Sequence, residues 1–551
     1  MIMKTYKYLV SLAVVALAMT ACIKDLDVKP FDKNTLQTFE QDAVFSKCYA
    51  TLGLTGQKGP DGSGDIDDFD EGASSFYRIM WECNEFPSDG GWWVWGDPGV
   101  ADLRIMKWGA DNFLVGGLYY RLYFDITLCN HFLDLATDED EKTQQQRAEV
   151  RFLRALNYWY LLDMFGTNDD DLNGCVPFAL EVSATSPMPQ KRSYIFDWLI
   201  TELKELETLL PDQRLSTWRV DKVAAQMLLA RTYLNGNIYT RTNPDDASTG
   251  KDYWAEAAEY AQKVINSQYK LCTTPGIKGN SPYQLLFMGD NDVNGAQKEA
   301  ILLVYQDGVA TRAWSGSRFT VCAFRYKDLA NEPCGTDDYW GCFRSSPELV
   351  KAFTSNTSVQ ATAAEMPALL KDDRAILCSI YNDGANSCNF NGSMSSEMGD
   401  CWGIMKWTGI RSDSLYASDK SFPDTDIPLI RVAEAYLTYA EAIYRQGKTD
   451  DALKVINESV RARAHADALT ALDDMTLLQE WQREFYCEGR RRTDLVRFGK
   501  FAGSSADYNW EGRGEKKSSD QPAVMGAQYN VFPLYTNDVT ANPNLKQHKN
   551  Y

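Results

Sequence analysis

The chain has 551 residues, too many for one small core and enough for a large domain or a few fused subdomains. Its 44% hydrophobic content marks it as globular rather than disordered, and its 12% aromatic content fits planar binding surfaces as well as dense packing. A formal net charge of −20 argues against a continuous basic face, and so against nucleic acid as a partner, while a neutral ligand is compatible with it.

The chain opens with Lys4 and Lys7, then an apolar run from Leu9 to Ala18. That run is too short to cross a bilayer as a helix. Met19-Thr20-Ala21-Cys22 follows, and small residues ahead of a cysteine at this point read as a bacterial lipoprotein signal. The expected organisation is a signal peptide over 1–21, a lipid on Cys22, a polar tether over 22–39 and a single domain over 40–551. Twelve further cysteines show no CxxC pair. Cys334 with Cys342, and Cys378 with Cys388, are spaced to pair, and half or more of the twelve are expected as free buried thiols.

Residues 51–116 are rich in Gly, Asp, Asn, Ser and Trp and lack long periodic helices. Helical spacing then appears over 147–165, stopping at Gly166, over 220–234, stopping at Asn235-Gly236, and over 254–265. A second loop-rich stretch occupies 273–425. Helices are expected again over 427–444, 450–464 and 477–498. Two helical hairpins share a grammar. Ala225, Leu229 and Tyr233 are followed by Ala257 and Ala261. Ala435, Tyr439 and Ile443 are followed by Gly447, Ala452 and Val455. Small residues let helices approach and large ones fill between them, as in irregular tetratricopeptide repeats. The expected fold is therefore mostly α, a tetratricopeptide-like scaffold carrying a loop-rich layer, and such layers usually hold the function.

Catalysis finds little support. The three histidines, His131, His465 and His548, lie far apart, and no nucleophile elbow, P-loop or dinucleotide fingerprint is present. With 76 acidic residues, the presence of candidate carboxylate pairs discriminates nothing. The loops are more informative. Residues 91–100, GWWVWGDPGV, place Trp92, Trp93 and Trp95 beside turn residues. Trp314 and the pair Tyr339-Trp340 stand in similar surroundings. An indole covers the apolar face of a sugar ring with a large, rigid area at little entropic cost. In addition, DNDVNG, Asp290 to Gly295, matches the first half of a calcium loop, but Ile301 stands where a bidentate glutamate would complete it. Distant donors would be needed, and Asp424 and Asp426 are the best placed.

These motifs carry a family resemblance. TGQKG (55–59), DEGASSFYR (70–78), CNEFPSD (83–89), RAEVRFLRALNYWY (147–160), PDTDIPLIRVAEAYL (423–437) and REFYCEGRRRTDLVRFG (483–499) span nearly the whole chain. It resembles the SusD/RagB glycan-binding lipoproteins of Bacteroidota and is close to the family's starch-binding founder. The resemblance implies four tetratricopeptide-like units and a surface-exposed, lipid-anchored place on the outer membrane. It also implies a SusC-like TonB-dependent transporter as partner, and no catalytic residues. It carries an arc of sugar-stacking aromatics onto Trp93, Trp314 and Trp340, and a sugar-binding arginine onto Arg78. Structural Ca2+ ligands fall on Asp292, Asp424 and Asp426. Trp93 is thus the expected contact of its loop, with Trp92 or Trp95 as the anchor. Three departures bear on the ligand. Pro98 replaces an asparagine that touches starch, Trp314 replaces a tyrosine, and the segment after Trp340 is shorter. An α-glucan such as starch or dextran is expected, with levan as the runner-up. A non-sugar lid for the transporter and a surface glycosidase are the alternatives.

Overall fold

The periodic segments form helices that lean each on the next. The computed structural model describes residues 39–326, 329, 332–380, 401–516 and 520–551, and within it Phe45–Tyr551 make one compact unit. The expected signal segment, Cys22, the tether up to residue 38, and Cys388 lie outside the described residues.

Helix α1 (Phe76–Glu85) packs against α2 (Phe113–Leu135), α2 against α3 (Glu141–Met164), and α3 against α4 (Arg192–Leu209). Next, α4 packs on α5 (Lys222–Leu234), which short α6 (Gly236–Thr240) follows, and α5 on α7 (Trp254–Ile265). The loop layer, with short helix α8 (Gly316–Cys322), is inserted before α9 (Val432–Arg445), which lies against α7 and α10 (Thr449–Ile456). Ala225, Leu229, Ala257, Ala261 and Ala435 are all fully buried in this stack. Helix starts follow the caps: the Asp221 carboxylate accepts from the Val223 and Ala224 amides, and Asp140 accepts from the Thr143 amide. The stop at Gly166 holds, since its amide donates to the Leu161 carbonyl.

Three expected boundaries move. Residues 427–431 are not helical. Strand β2 (Ala300–Val304) pairs antiparallel with β4 (Ile427–Arg431), and α9 starts only at Val432. Pro428 biases its predecessor away from helix, and the isoleucines suit a buried strand. The expected helix over 477–498 divides into α11 (Asp474–Phe485) and α12 (Arg491–Arg497). Cys487 and Gly489 adopt φ of 59° and 73° between them. The expected helix over 450–464 ends as regular α-helix at Ile456 and continues as a π-helical turn over Asn457–Arg461. In the loop layer, β1 (Gly91–Trp93) pairs antiparallel with β3 (Phe343–Ser345). The described cysteines are all free and buried, so Cys334 and Cys342 do not pair. Their thiols instead lie against the carbonyls of Thr336 and Ala323.

Buried charge ties the layers together. Arg431, at the end of β4, reaches Glu299 at 3.0 Å, Glu484 at 2.6 Å and Glu488 at 2.8 Å. Arg463 binds Glu299 and Glu484, and Arg374 binds Asp372, Glu480 and Glu484. Burial alone would raise the Glu484 carboxyl, but Arg463, Arg431 and Arg374 outweigh it and hold the pKa down at about 2.

Candidate functional site

The loop after α1 enters β1, whose pairing with β3 turns Trp92 and Trp93 into the protein. Trp92 is buried under Arg104, and its indole N–H donates to the Glu511 carbonyl at 3.0 Å. Trp93 is 0% exposed. Its ring packs on Phe86 and Phe319, and its N–H is held by Asp97. The strand ends there, the chain turns at Gly96-Asp97-Pro98-Gly99, and Trp95 is left 41% exposed. The expected roles within this loop are therefore exchanged. Trp93 has no free face for a ligand because it supports the loop, and Trp95 is the presented ring. The missed signal is positional: Trp95 stands immediately before the turn.

Trp95 and Trp340 lie 6.0 Å apart between ring centroids, with planes 34° from one another. Trp340 is half-buried, and its N–H donates to Asp338 at 2.9 Å. Trp314 is 37% exposed and leans on Phe422. Two arginines join the rings. Arg318 lies 4.3 Å from the Trp314 ring and 5.8 Å from Trp340, with its fork on Asp338 at 2.5 Å. Arg78 lies 5.8 Å from the Trp340 ring and donates to the Trp314 carbonyl at 2.8 Å. Guanidiniums over aromatic faces are attractive. Arg318 is buried and spends its terminal nitrogens on Asp338 and the Ser421 carbonyl, so it supports the rings, while Arg78 uses Nε and Nη1 and keeps Nη2 without a hydrogen-bond partner among the described residues. Arg318 carries no motif of its own in the sequence, and only its position four residues after Trp314 hints at this role.

The DEGASSFYR segment explains itself here. Glu71 accepts the Trp314 amide at 3.0 Å. Gly72, at φ 81°, lies against the Trp314 backbone, where a Cβ would stand 2.7 Å from the nearest atom. Ser75 caps α1 by accepting from the Arg78 amide and meets Ser315 through its hydroxyl. Arg78, in the first turn of α1, is held by Glu82 at 2.9 Å. Burial pushes the Glu82 carboxyl up to about 7, with Arg78 pulling the other way.

The expected calcium ligands lie on converging segments. Asp426 accepts the Gln306 amide at 2.6 Å through Oδ1, while its buried Oδ2 has no partner. Burial drives its carboxyl well above the ordinary range, and Asp292, Asp424 and Asp307 add to that. Asp292 and Asp424 are raised too, first by burial. Asp290 is committed elsewhere, to the Ser412 amide and hydroxyl. Among the described residues no three His, Cys, Asp or Glu side chains stand close enough together to hold a metal. The one feature that suits a hard cation is the buried, unpartnered Oδ2 of Asp426.

Residues 298–551 match the SusD family model, and residues 100–234 match a model described as starch-binding associating with outer membrane. Starch-binding protein SusD of Bacteroides thetaiotaomicron is 39% identical over 573 residues, covering 98% of this chain and 97% of that one. SusD-like protein P2 of Formosa agariphila is 26% identical over 180 residues, or 31% of this chain and 32% of its own. A SusD superfamily structure from Parabacteroides distasonis superposes with a TM-score of 0.65 at 19% identity, covering 93% of this chain and 98% of that one. A laminarin-binding SusD-like protein superposes at 0.64 with 18% identity, covering 93% and 99%. The helical scaffold is thus the one these proteins share.

Proposed function

This chain belongs to the SusD family, and from that premise we propose that it is a non-catalytic lipoprotein of the outer-membrane surface. It captures an oligosaccharide on the indoles of Trp95, Trp340 and Trp314 and passes it to a SusC-like TonB-dependent transporter. The observation that carries the reading is the ring array itself. Trp95 lies beside half-buried Trp340, and Arg78 and Arg318 join Trp340 to partly exposed Trp314. Stacking on the rings covers the apolar sugar faces, and Arg78 donates to hydroxyls. An α-glucan is favoured, since the relative matched along nearly its whole length is named as starch-binding. Pro98 offers no side-chain donor at the loop tip, which leaves dextran as eligible as starch. Affinity electrophoresis against starch, dextran, laminarin and levan tests this. Retardation by an α-glucan without its hydrolysis supports the reading, and binding of levan alone overturns the ligand class.

Lipidation of Cys22 would tether the domain beside the transporter. A calcium ion held by Asp292, Asp424 and Asp426 would require these side chains to close in around it, and would then answer the unpartnered Oδ2 of Asp426. Its role would be structural, because no nucleophile or histidine stands among them.

A further inference from the structure

Phe113, Gly117, Tyr120, Phe124 and Thr127 recur along α2 at spacings of four and three, so they share one face of that helix, and together they floor an open cleft of about 590 Å³. That volume lies within the range of small-molecule sites, and the cleft shares no residue with the indole platform. Phe69 and Tyr535 form its walls. Phe69 stacks on Phe113, with ring centres 4.1 Å apart and planes 18° from parallel. Tyr535 meets Tyr120 edge-on at 5.3 Å. Both walls rest on helix backbone. A Cβ on Gly117 would stand 2.2 Å from the Phe69 ring, and one on Gly116 would stand 2.4 Å from the Tyr535 ring. Glycine weakens the interior of a helix, so α2 gives up stability of its own to seat these two rings. Tyr120 is 37% exposed, and Phe69, Phe113, Phe124 and Tyr535 are half-buried, so the cleft keeps aromatic surface in contact with water.

The polar groups narrow the ligand. Asp65 is committed to Arg121, with Lys47 at 3.5 Å. Asp67 and Asp68, in the exposed turn before Phe69, have no ion pair or hydrogen bond from their side chains among the described residues. The hydroxyls of Thr127 and Tyr535 have no partner there either. Among the described residues no basic side chain lines the cleft, so an anion would meet only carboxylates. An organic cation is best held by rings set around a point, whereas Phe69 and Phe113 are stacked into one slab. Carboxylates accept from a ligand's hydroxyls, protein hydroxyls both accept and donate, and flat rings cover axial C–H faces. These are the needs of a neutral sugar.

We propose that the cleft on α2 is a second site for a neutral oligosaccharide, separate from the indole platform. It rests on the glycan-binding reading only for the choice of probes. Isothermal titration of the full-length chain carrying Trp95→Ala and Trp340→Ala, with maltohexaose, isomaltohexaose and laminarihexaose in turn, tests it. The expected result is saturable one-site binding by at least one of the three. Adding Tyr120→Ala should weaken that binding about tenfold, as loss of one stacked ring does, and adding Asp67→Ala should weaken it about tenfold through a lost charge-assisted acceptor. A melting curve for each variant checks folding, and exposed Asp67 decides the matter if Tyr120→Ala melts early. No saturable heat with any of the three sugars, or unchanged affinity in a folded Tyr120→Ala or Asp67→Ala variant, overturns the proposal. Saturable binding of tetramethylammonium chloride in place of the sugars assigns the cleft to an organic cation and overturns it too. The platform is judged separately, by the affinity that Trp95→Ala and Trp340→Ala remove from the otherwise unchanged chain.

Discussion

The ring of Trp93 lies beneath its loop and the ring of Trp95 lies on it, so the two substitutions should fail in different ways. Trp95→Ala and Trp340→Ala should each weaken glycan binding about tenfold while leaving the melting temperature nearly unchanged, because a stacked ring contributes on the order of 1–3 kcal/mol. Trp93→Ala removes a fully buried ring and should cost about 3–5 kcal/mol of stability, seen as an earlier urea midpoint. Equal affinity in the Trp95 and Trp340 variants would remove the platform. Glu82 offers a test by pH. Its pKa rises from an ordinary 4.5 to about 7 on folding, so the folded state holds the proton more tightly. The wild type should therefore lose stability relative to Glu82→Gln as pH rises from about 4.5 to 7, by at most about 3 kcal/mol. Paired denaturation curves at pH 5 and pH 8 measure this gap, and a gap independent of pH contradicts the burial argument.

At the scale of elements, the loop that carries Trp314 depends on the backbone around Gly72. Gly72→Ala would place a Cβ into the Trp314 main chain at a positive φ. It should cost more than about 1 kcal/mol and weaken glycan binding, although no group that touches sugar is changed. Titration with the bound glycan, compared with the Trp314→Ala variant, separates displacement of the loop from loss of the ring. The elements also show what the sequence makes legible. Residues 254–265 are helical as the spacing dictates, because alanines and apolar residues recur at turns of 3.6 and tertiary packing agrees with them. The strand at Ile427–Arg431 is hidden by the same measure. Its apolar run has no period to read, and its partner lies about 130 residues earlier. The two-turn stretch around Cys487 and Gly489 breaks a helical pattern that local spacing alone would continue. In the loop layer the residue types are legible, since tryptophans beside Gly, Asp and Pro mark a surface. Which indole faces out is decided by β1 pairing with β3, a contact some 250 residues distant that no window of sequence contains.

For the molecule as a whole, the buried ion network around Arg431, Arg463 and Arg374 sets the response to acid. Glu484 has a folded pKa of about 2 against an ordinary 4.5. Its contribution is present above about 4.5 and lost as pH falls through about 2. Glu484→Gln removes one carboxylate partner from each of three buried arginines and should cost about 3–5 kcal/mol at neutral pH, a deficit that shrinks towards pH 2.5 in urea denaturation. Calcium belongs to the same scale, since Asp292 and Asp426 lie on segments joined only through the fold. Chelation should lower the melting temperature by mass action, and Asp426→Asn should abolish that sensitivity. A melting curve indifferent to chelator would remove the ion.

Trp95 comes from one stretch of chain and Trp314 and Trp340 from another more than 200 residues later, while the buried ion pairs that hold the scaffold together are made by other residues. Groups without shared partners contribute nearly additively. A lineage carrying this fold can therefore exchange one ring, or one loop, and acquire a different sugar preference without a compensating change in the core. Ligand choice and foldability become separately heritable traits of one chain.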